Sequence, residues 1–263
     1  MFGLVFFVCL LVALYIWKQS EKKKMTAIEI PDNLSATLEN KVSYYRSLPE
    51  IDKPRFIEEV QQFLSETRIT PIGTTIDDTD RILVAASAVI PIFGFPEWHY
   101  TNLTDVLIYN DRFDEEFDTK SRDRNILGMV GSGVMNHKMI LSKAALREGF
   151  SNKTDKNNTA IHEFVHLLDK ADGAVDGIPK ALLSRQYTIP WLDLIHRKIK
   201  EIKEEDSDIN PYGGTSQTEF FAVAAEYFFE RPDLLRSKHP KLYSMMEKIF
   251  KQTPPTRVSK PKP

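Results

Sequence analysis

The sequence predicts an α+β fold, mostly helical with a small mixed sheet. Three observations lead there. Apolar side chains recur at helical spacing along much of the chain, as at Phe56, Val60, Phe63 and Leu64. Two short runs, residues 105–109 and 139–141, are rich in branched and apolar side chains and read as strands. The pentapeptide His162-Glu163-Phe164-Val165-His166 and the apolar stretch 216–229 read as two helices, the second crossing the first.

Taken from the N-terminus, residues 2–17 carry no charge and lead to Lys18 and the cluster Glu21-Lys22-Lys23-Lys24. At about 1.5 Å per residue the run rises roughly 24 Å, short of a bilayer core of about 30 Å. Tyr15 and Trp17 suit a membrane interface, however, and Lys18 can snorkel. Residues 1–24 are therefore expected to form one N-terminal transmembrane helix with a basic flank. The positive-inside rule then places the rest of a membrane-anchored chain in the cytoplasm. The rival reading is a cleaved signal peptide, which expects a basic start and a small-x-small site, whereas this chain opens Met-Phe-Gly-Leu. Residues 25–46 are polar and mixed, a linker into a domain at 47–252, and the Pro- and Lys-rich residues 253–263 read as a disordered tail.

Within the domain, residues 54–67 read as an amphipathic helix. The apolar run 82–90 follows Asp77, Asp78 and Asp80 and reads as a capped, buried helix ending before Pro91. Residues 111–125 are highly charged, a surface excursion between the strands. Gly128, Gly131 and Gly133 read as turns, since their order is not that of a dinucleotide fingerprint. Asn157, Asn158 and Thr159 offer N-caps for the histidine helix, and Gly173 a stop. Further helices are expected at 190–205, 216–229 and about 241–251.

With 42% hydrophobic and 27% charged residues, a chain of 263 can bury a sizeable core as one domain. A net charge of −2 gives a nucleic-acid partner no support. The single cysteine, Cys9, lies in the N-terminal apolar run, so disulfides and Cys-ligated zinc are excluded from the domain.

The chemistry starts from H-E-x-x-H. Residues four apart on a helix lie one above the other, so His162 and His166 can share one zinc ion, and Glu163 can act on a water there. Ile161, Val165 and Leu168 make the core stripe of this helix, while His162, His166 and Asp169 line a neighbouring one. A catalytic zinc wants three protein ligands and an open position. The candidate for the third is Glu219, 53 residues after His166, because a carboxylate in an apolar helix is costly unless it is paired or binds a cation. Glu226, seven residues further, shares its face. Each residue also has a plainer reading. The His pair can be structural, Glu226 can pair with a basic residue, and Tyr212 can be a turn tyrosine packed on Pro211. His99, His137, His196 and His239 carry no spacing signal and read as surface or core.

The segments HEFVHLLD and NPYGGTSQTEFFAVAAEYFF resemble the zinc-dependent peptidase family of Mlc titration factor A. The resemblance extends more weakly over about 47–250, including the Gly177-Ile178-Pro179 loop. The anthrax lethal factor catalytic domain shares the second motif, a tyrosine seven residues before a glutamate. The resemblance implies a zincin-like metallopeptidase domain with one Zn2+. His162, His166 and Glu219 would be its ligands, Glu163 its general base and Tyr212 the group that stabilises the tetrahedral intermediate. It further implies that Asp169 holds a ligand histidine from behind, and Glu226 is expected to support the site in the same way. The anchor is outside the family's pattern, and the region around Asp123 offers no match to the family's extra upstream histidine.

The function expected is therefore zinc-dependent hydrolysis of peptide bonds in a peptide or protein substrate, as an amino- or endopeptidase. The rival class is a membrane-tethered binding protein that sequesters a cytosolic regulatory partner such as a transcriptional repressor. Glu163 discriminates the two, because a binding module needs no general base between its ligands.

Overall fold

The computed structural model describes residues 30–112, 126–131, 133–152 and 155–255. The folded unit begins at Pro31. Its first helices, α1 (Leu34–Lys41) and α2 (Ser43–Arg46), fall where a linker is expected. They are helices because Leu34, Leu38, Val42, Tyr44 and Tyr45 have a core to enter. Tyr45 and Tyr44 meet Phe56 of α3 (Lys53–Glu66), with ring centroids 5.5 and 5.9 Å away.

Strand β1 (Arg68–Ile72) follows directly, then helix α4 (Asp78–Ile92). A reciprocal capping box starts α4: Asp80 N–H donates to Asp77 Oδ1 and Asp77 N–H to Asp80 Oδ2, each at 3.0 Å. The helix runs on through Pro91 rather than ending before it. Pro91 lies in the last turn, where its missing N–H removes a single ladder bond. At the helix end the carbonyl oxygens of Ile90 and Pro91 accept from Gln252 Nε2, at 2.9 and 3.4 Å.

Strands β2 (Asp105–Tyr109), β3 (Gly128–Val130) and β4 (Lys138–Ser142) complete a four-stranded mixed sheet in the order β1-β2-β4-β3. β2 is parallel to both β1 and β4, and β3 runs antiparallel to β4. The sequence conceals the two edge strands for physical reasons. β1 contains Pro71, which a sheet tolerates at an edge, and β3 opens on Gly128, which reads as turn material.

Helix α5 (Lys143–Ser151) leaves β4 directly, capped by Ser142. Helix α6 (Thr159–Asp169) carries the two histidines and packs against α4, α5, β3 and β4. It ends in a 3-10 turn, Lys170–Asp172, closed by Gly173 at φ 91°. Helix α7 (Thr188–Lys203) buries Trp191. Helix α8 (Gln217–Glu230) is buried nearly all round, and short helices α9 (Pro232–Lys238) and α10 (Pro240–Phe250) wrap it.

The expected membrane-anchored localisation is corrected. Among the described residues no helix is long and apolar enough to cross a membrane. The run that suggested one, residues 2–17, lies outside the described residues, and its rise of about 24 Å falls short of the hydrocarbon core. The charged excursion from 113 to 125 and the tail from 256 to 263 also lie outside them.

One buried charge ties α4 to α5. Asp80 is fully buried, and Arg147 donates to it from Nε at 2.6 Å and from Nη2 at 3.1 Å, with Lys143 at 3.6 Å. Arg147→Met leaves Asp80 with Lys143 and the Asp77 N–H as partners, so urea unfolding should show a loss of about 2 kcal/mol. A change within 0.5 kcal/mol or so would show the pair to be solvent-compensated.

Candidate metal centre

The histidine helix is held at its start by a single side chain. Asn158 Oδ1 accepts from the Ile161 N–H at 3.2 Å, capping α6. The Asn158 N–H donates to Glu226 Oε2 at 2.6 Å, and its Nδ2 donates to Glu230 Oε1 at 3.0 Å. Both glutamates belong to α8. The cap of one helix is thus the seam between the two.

One turn into α6 the side chains converge. His162 Nε2 and His166 Nε2 lie 3.0 Å apart, and Glu219 Oε2 lies 3.0 Å from the first and 3.5 Å from the second. Among the described residues this trio forms a group whose donor atoms are close enough to share a metal ion. Zinc bonds of about 2.0–2.2 Å in a tetrahedron separate neighbouring donors by about 3.3–3.6 Å, so two imidazole nitrogens and a carboxylate oxygen at 3.0–3.5 Å lie close to what zinc needs. Glu219 reaches the site from the first turn of α8, where Ser216 Oγ accepts its N–H at 3.1 Å. Ser216 and Glu219 have the spacing of a capping box, but the carboxylate turns to the imidazoles.

Behind His162, Glu226 Oε1 lies 2.7 Å from Nδ1. The carboxylate fixes which ring nitrogen carries the proton and leaves Nε2 facing the other donors. In the metal-free protein, burial lowers the His162 pKa, but Glu219 and Glu226 outweigh it and raise it to about 10. Burial raises Glu219, and the two histidines outweigh that, bringing it to about 2.

Glu163 is buried, and burial raises its pKa against the pull of both histidines. Room for it comes from β3: a Cβ on Gly128 would stand 2.6 Å from Glu163 Cγ and 2.8 Å from Oε1. Tyr212 sits in a 3-10 turn, Pro211–Gly214, with its ring 6.0 Å from that of His162 and half its surface exposed. Its N–H donates to Asn210 Oδ1 at 3.0 Å, and Asn210 Nδ2 donates to Asn157 Oδ1 at 3.0 Å. Burial, Glu219 and Glu163 raise its pKa, so the hydroxyl keeps its proton.

Asp169 faces a loop. Its Oδ2 accepts the Gly177 N–H at 2.8 Å, and Oδ1 is buried with no hydrogen-bond partner among the described residues. Burial raises its pKa to about 6. The structure therefore brings His162, His166, Glu219, Glu226, Glu163 and Tyr212 together and sets Asp169 at the far end of α6. Sequence reasoning missed Gly128 and Glu230. Gly128 looks like any turn glycine until the strand places it under Glu163. Glu230 lies in an apolar run four residues after Glu226, about one helical turn, and that repeat of a buried carboxylate was the available signal.

A family model described as glucose-regulated metallo-peptidase M90 matches residues 16–251. The chain is 26% identical to the Mlc titration factor A of Escherichia fergusonii over 228 residues, 81% of this chain and 83% of the relative. It is 26% identical to that of Pectobacterium atrosepticum over 214 residues, 75% and 78% of the two. An uncharacterized Synechocystis protein is 24% identical over 245 residues, 89% of each.

The raised His162 pKa makes folding of the metal-free protein pH-dependent. Its ion pairs contribute fully below the unfolded value of about 6.5, and the contribution is lost as pH rises through about 10. The urea midpoint of the metal-free protein should fall across that interval, and fall less in His162→Gln. An equally steep fall in the variant would place the titration elsewhere.

Proposed function

The chain belongs to the glucose-regulated metallo-peptidase M90 family, and from that premise we propose that it is a gluzincin-type zinc peptidase hydrolysing peptide bonds. The catalytic domain on this reading takes in residues 47–252, with α1 and α2 packed onto it. The observation that carries the proposal is the buried carboxylate of Glu163 beside three converging donors, His162, His166 and Glu219. Three protein ligands are the number that leaves zinc an open position, whereas a structural site fills four.

Zinc held there would supply Lewis acidity toward the scissile carbonyl and lower the pKa of a water. Glu163 takes up a proton and returns it to the leaving amine, a role its burial-raised pKa suits. Tyr212, protonated and partly exposed at the rim, donates a hydrogen bond to the oxygen that gains charge. Glu226 keeps His162 in the tautomer a ligand needs. The substrate is a peptide or protein.

The name of the relatives, Mlc titration factor A, supports a second reading, capture of a regulatory protein partner. A module that only binds has no use for a desolvated carboxylate at the metal, and this favours the peptidase.

Cleavage of a mixed peptide library separates the two. Glu163→Gln should keep one zinc per chain and lose about 10²–10⁴-fold in turnover. His162→Ala should lose metal and activity together, and Tyr212→Phe about 10²-fold in kcat with little change in KM. Zinc bound with no cleavage by the unaltered protein would favour the binding module.

A further inference from the structure

Past the metal helix, residues 173–178 form a loop that touches three helices at one glycine. Gly177 gives its N–H to Asp169 Oδ2, at the end of α6, over 2.8 Å. Its carbonyl oxygen accepts from Trp191 Nε1 of α7 over 2.7 Å. Its Cα faces the start of α8 so closely that a Cβ would stand 2.4 Å from the Gln217 oxygen and 2.9 Å from the Thr218 nitrogen. The backbone there has φ +74°, which glycine adopts without strain. Thr218 Oγ1 lies 3.4 Å from the Val175 oxygen in the same loop.

The tie closes through the core. Trp191 is fully buried, with its ring 6.0 Å from Phe220 and 5.9 Å from Phe221, the two residues after Glu219. The end of the histidine helix and the first turn of the Glu219 helix are therefore referenced to each other through one backbone unit. Glu226 and Asn158 hold the opposite side of the same helix pair. Without the loop, α8 could pivot about that seam and carry Glu219 away from the two imidazoles.

We propose that Gly177, buckled between Asp169 and Trp191, is a positioning residue that sets the third metal ligand, Glu219, against His162 and His166. Asp169 on this account acts on the glutamate ligand through Gly177. The inference rests on the assignment of these three side chains as the zinc site.

The test is a double-mutant cycle on zinc affinity, read by chelator competition on the full chain, with melting of the metal-free proteins as the control for folding. Gly177→Ala should bind zinc about 10–100-fold more weakly, the usual loss when a support behind a ligand is removed. Combined with Glu219→Ala it should bind no more weakly than Glu219→Ala alone, because the buckle acts through that glutamate. Additive losses, or Gly177→Ala binding like the unaltered protein, would overturn the inference. If Gly177→Ala does not fold, Trp191→Phe takes its place, removing the N–H to Gly177 while keeping a ring in the core. An unaltered protein that binds no zinc, or a Glu219→Ala variant that binds it normally, would instead overturn the zinc-site assignment.

Discussion

Everything near the centre of this molecule follows from the cost of placing charge where water is scarce. Glu163, Glu226, Glu230 and His162 are buried, and Glu219 and His166 nearly so. An ionised carboxylate in such surroundings is tolerated only when opposite charge or hydrogen-bond donors meet it. The contact between α6 and α8 supplies those partners, so the helices cannot slide or rotate independently without stranding a charge. The apolar residues make the pair stick; the polar ones decide its register. Phe164 and Val165 on one helix and Phe220, Phe221 and Phe228 on the other would pack in several ways, and the carboxylate–imidazole pairs select one of them.

How far this was legible in the sequence depends on whether a signal is local. The α6 motif, its Asn158 cap and strand β2 are stated by consecutive residues, and they appear where spacing put them. The mixed character of the sheet was also readable, though its edge strands were not, because Pro71 and Gly128 carry loop-like propensities that pairing overrides. Helices α1 and α2 hid for the same reason. Their polar composition suggests a linker, and only the presence of Phe56 and Phe93 opposite turns Tyr44 and Tyr45 into core. At the candidate metal centre, the donors were readable from residue types, whereas what surrounds them was not. No pattern in the string says that Gly128 must lack a side chain, or that Asp169 turns to a loop eight residues downstream.

The protonation states follow the same geography. In the metal-free protein the His162 imidazole shares a proton with the carboxylates beside it, which is why His162 sits so high and Glu219 so low. A divalent cation would take the place of that shared proton and meet the same three donor atoms. Tyr212 lies at the edge of this field, near enough to Glu219 and Glu163 to keep its proton and far enough out to meet a ligand arriving from solvent.

The donors come from two helices, Glu219 standing 53 residues after His166, and this spacing controls when the centre can exist. A growing or partly folded polypeptide that has made α6 holds two imidazoles and nothing to complete them. Glu219 arrives only after the intervening segment is closed and α8 has docked, both of which cost chain entropy. On the proposed peptidase reading, a hydrolytic centre assembled in that order would be silent while its own unfolded segments are exposed. It would acquire reactivity when the chain has least left to cut.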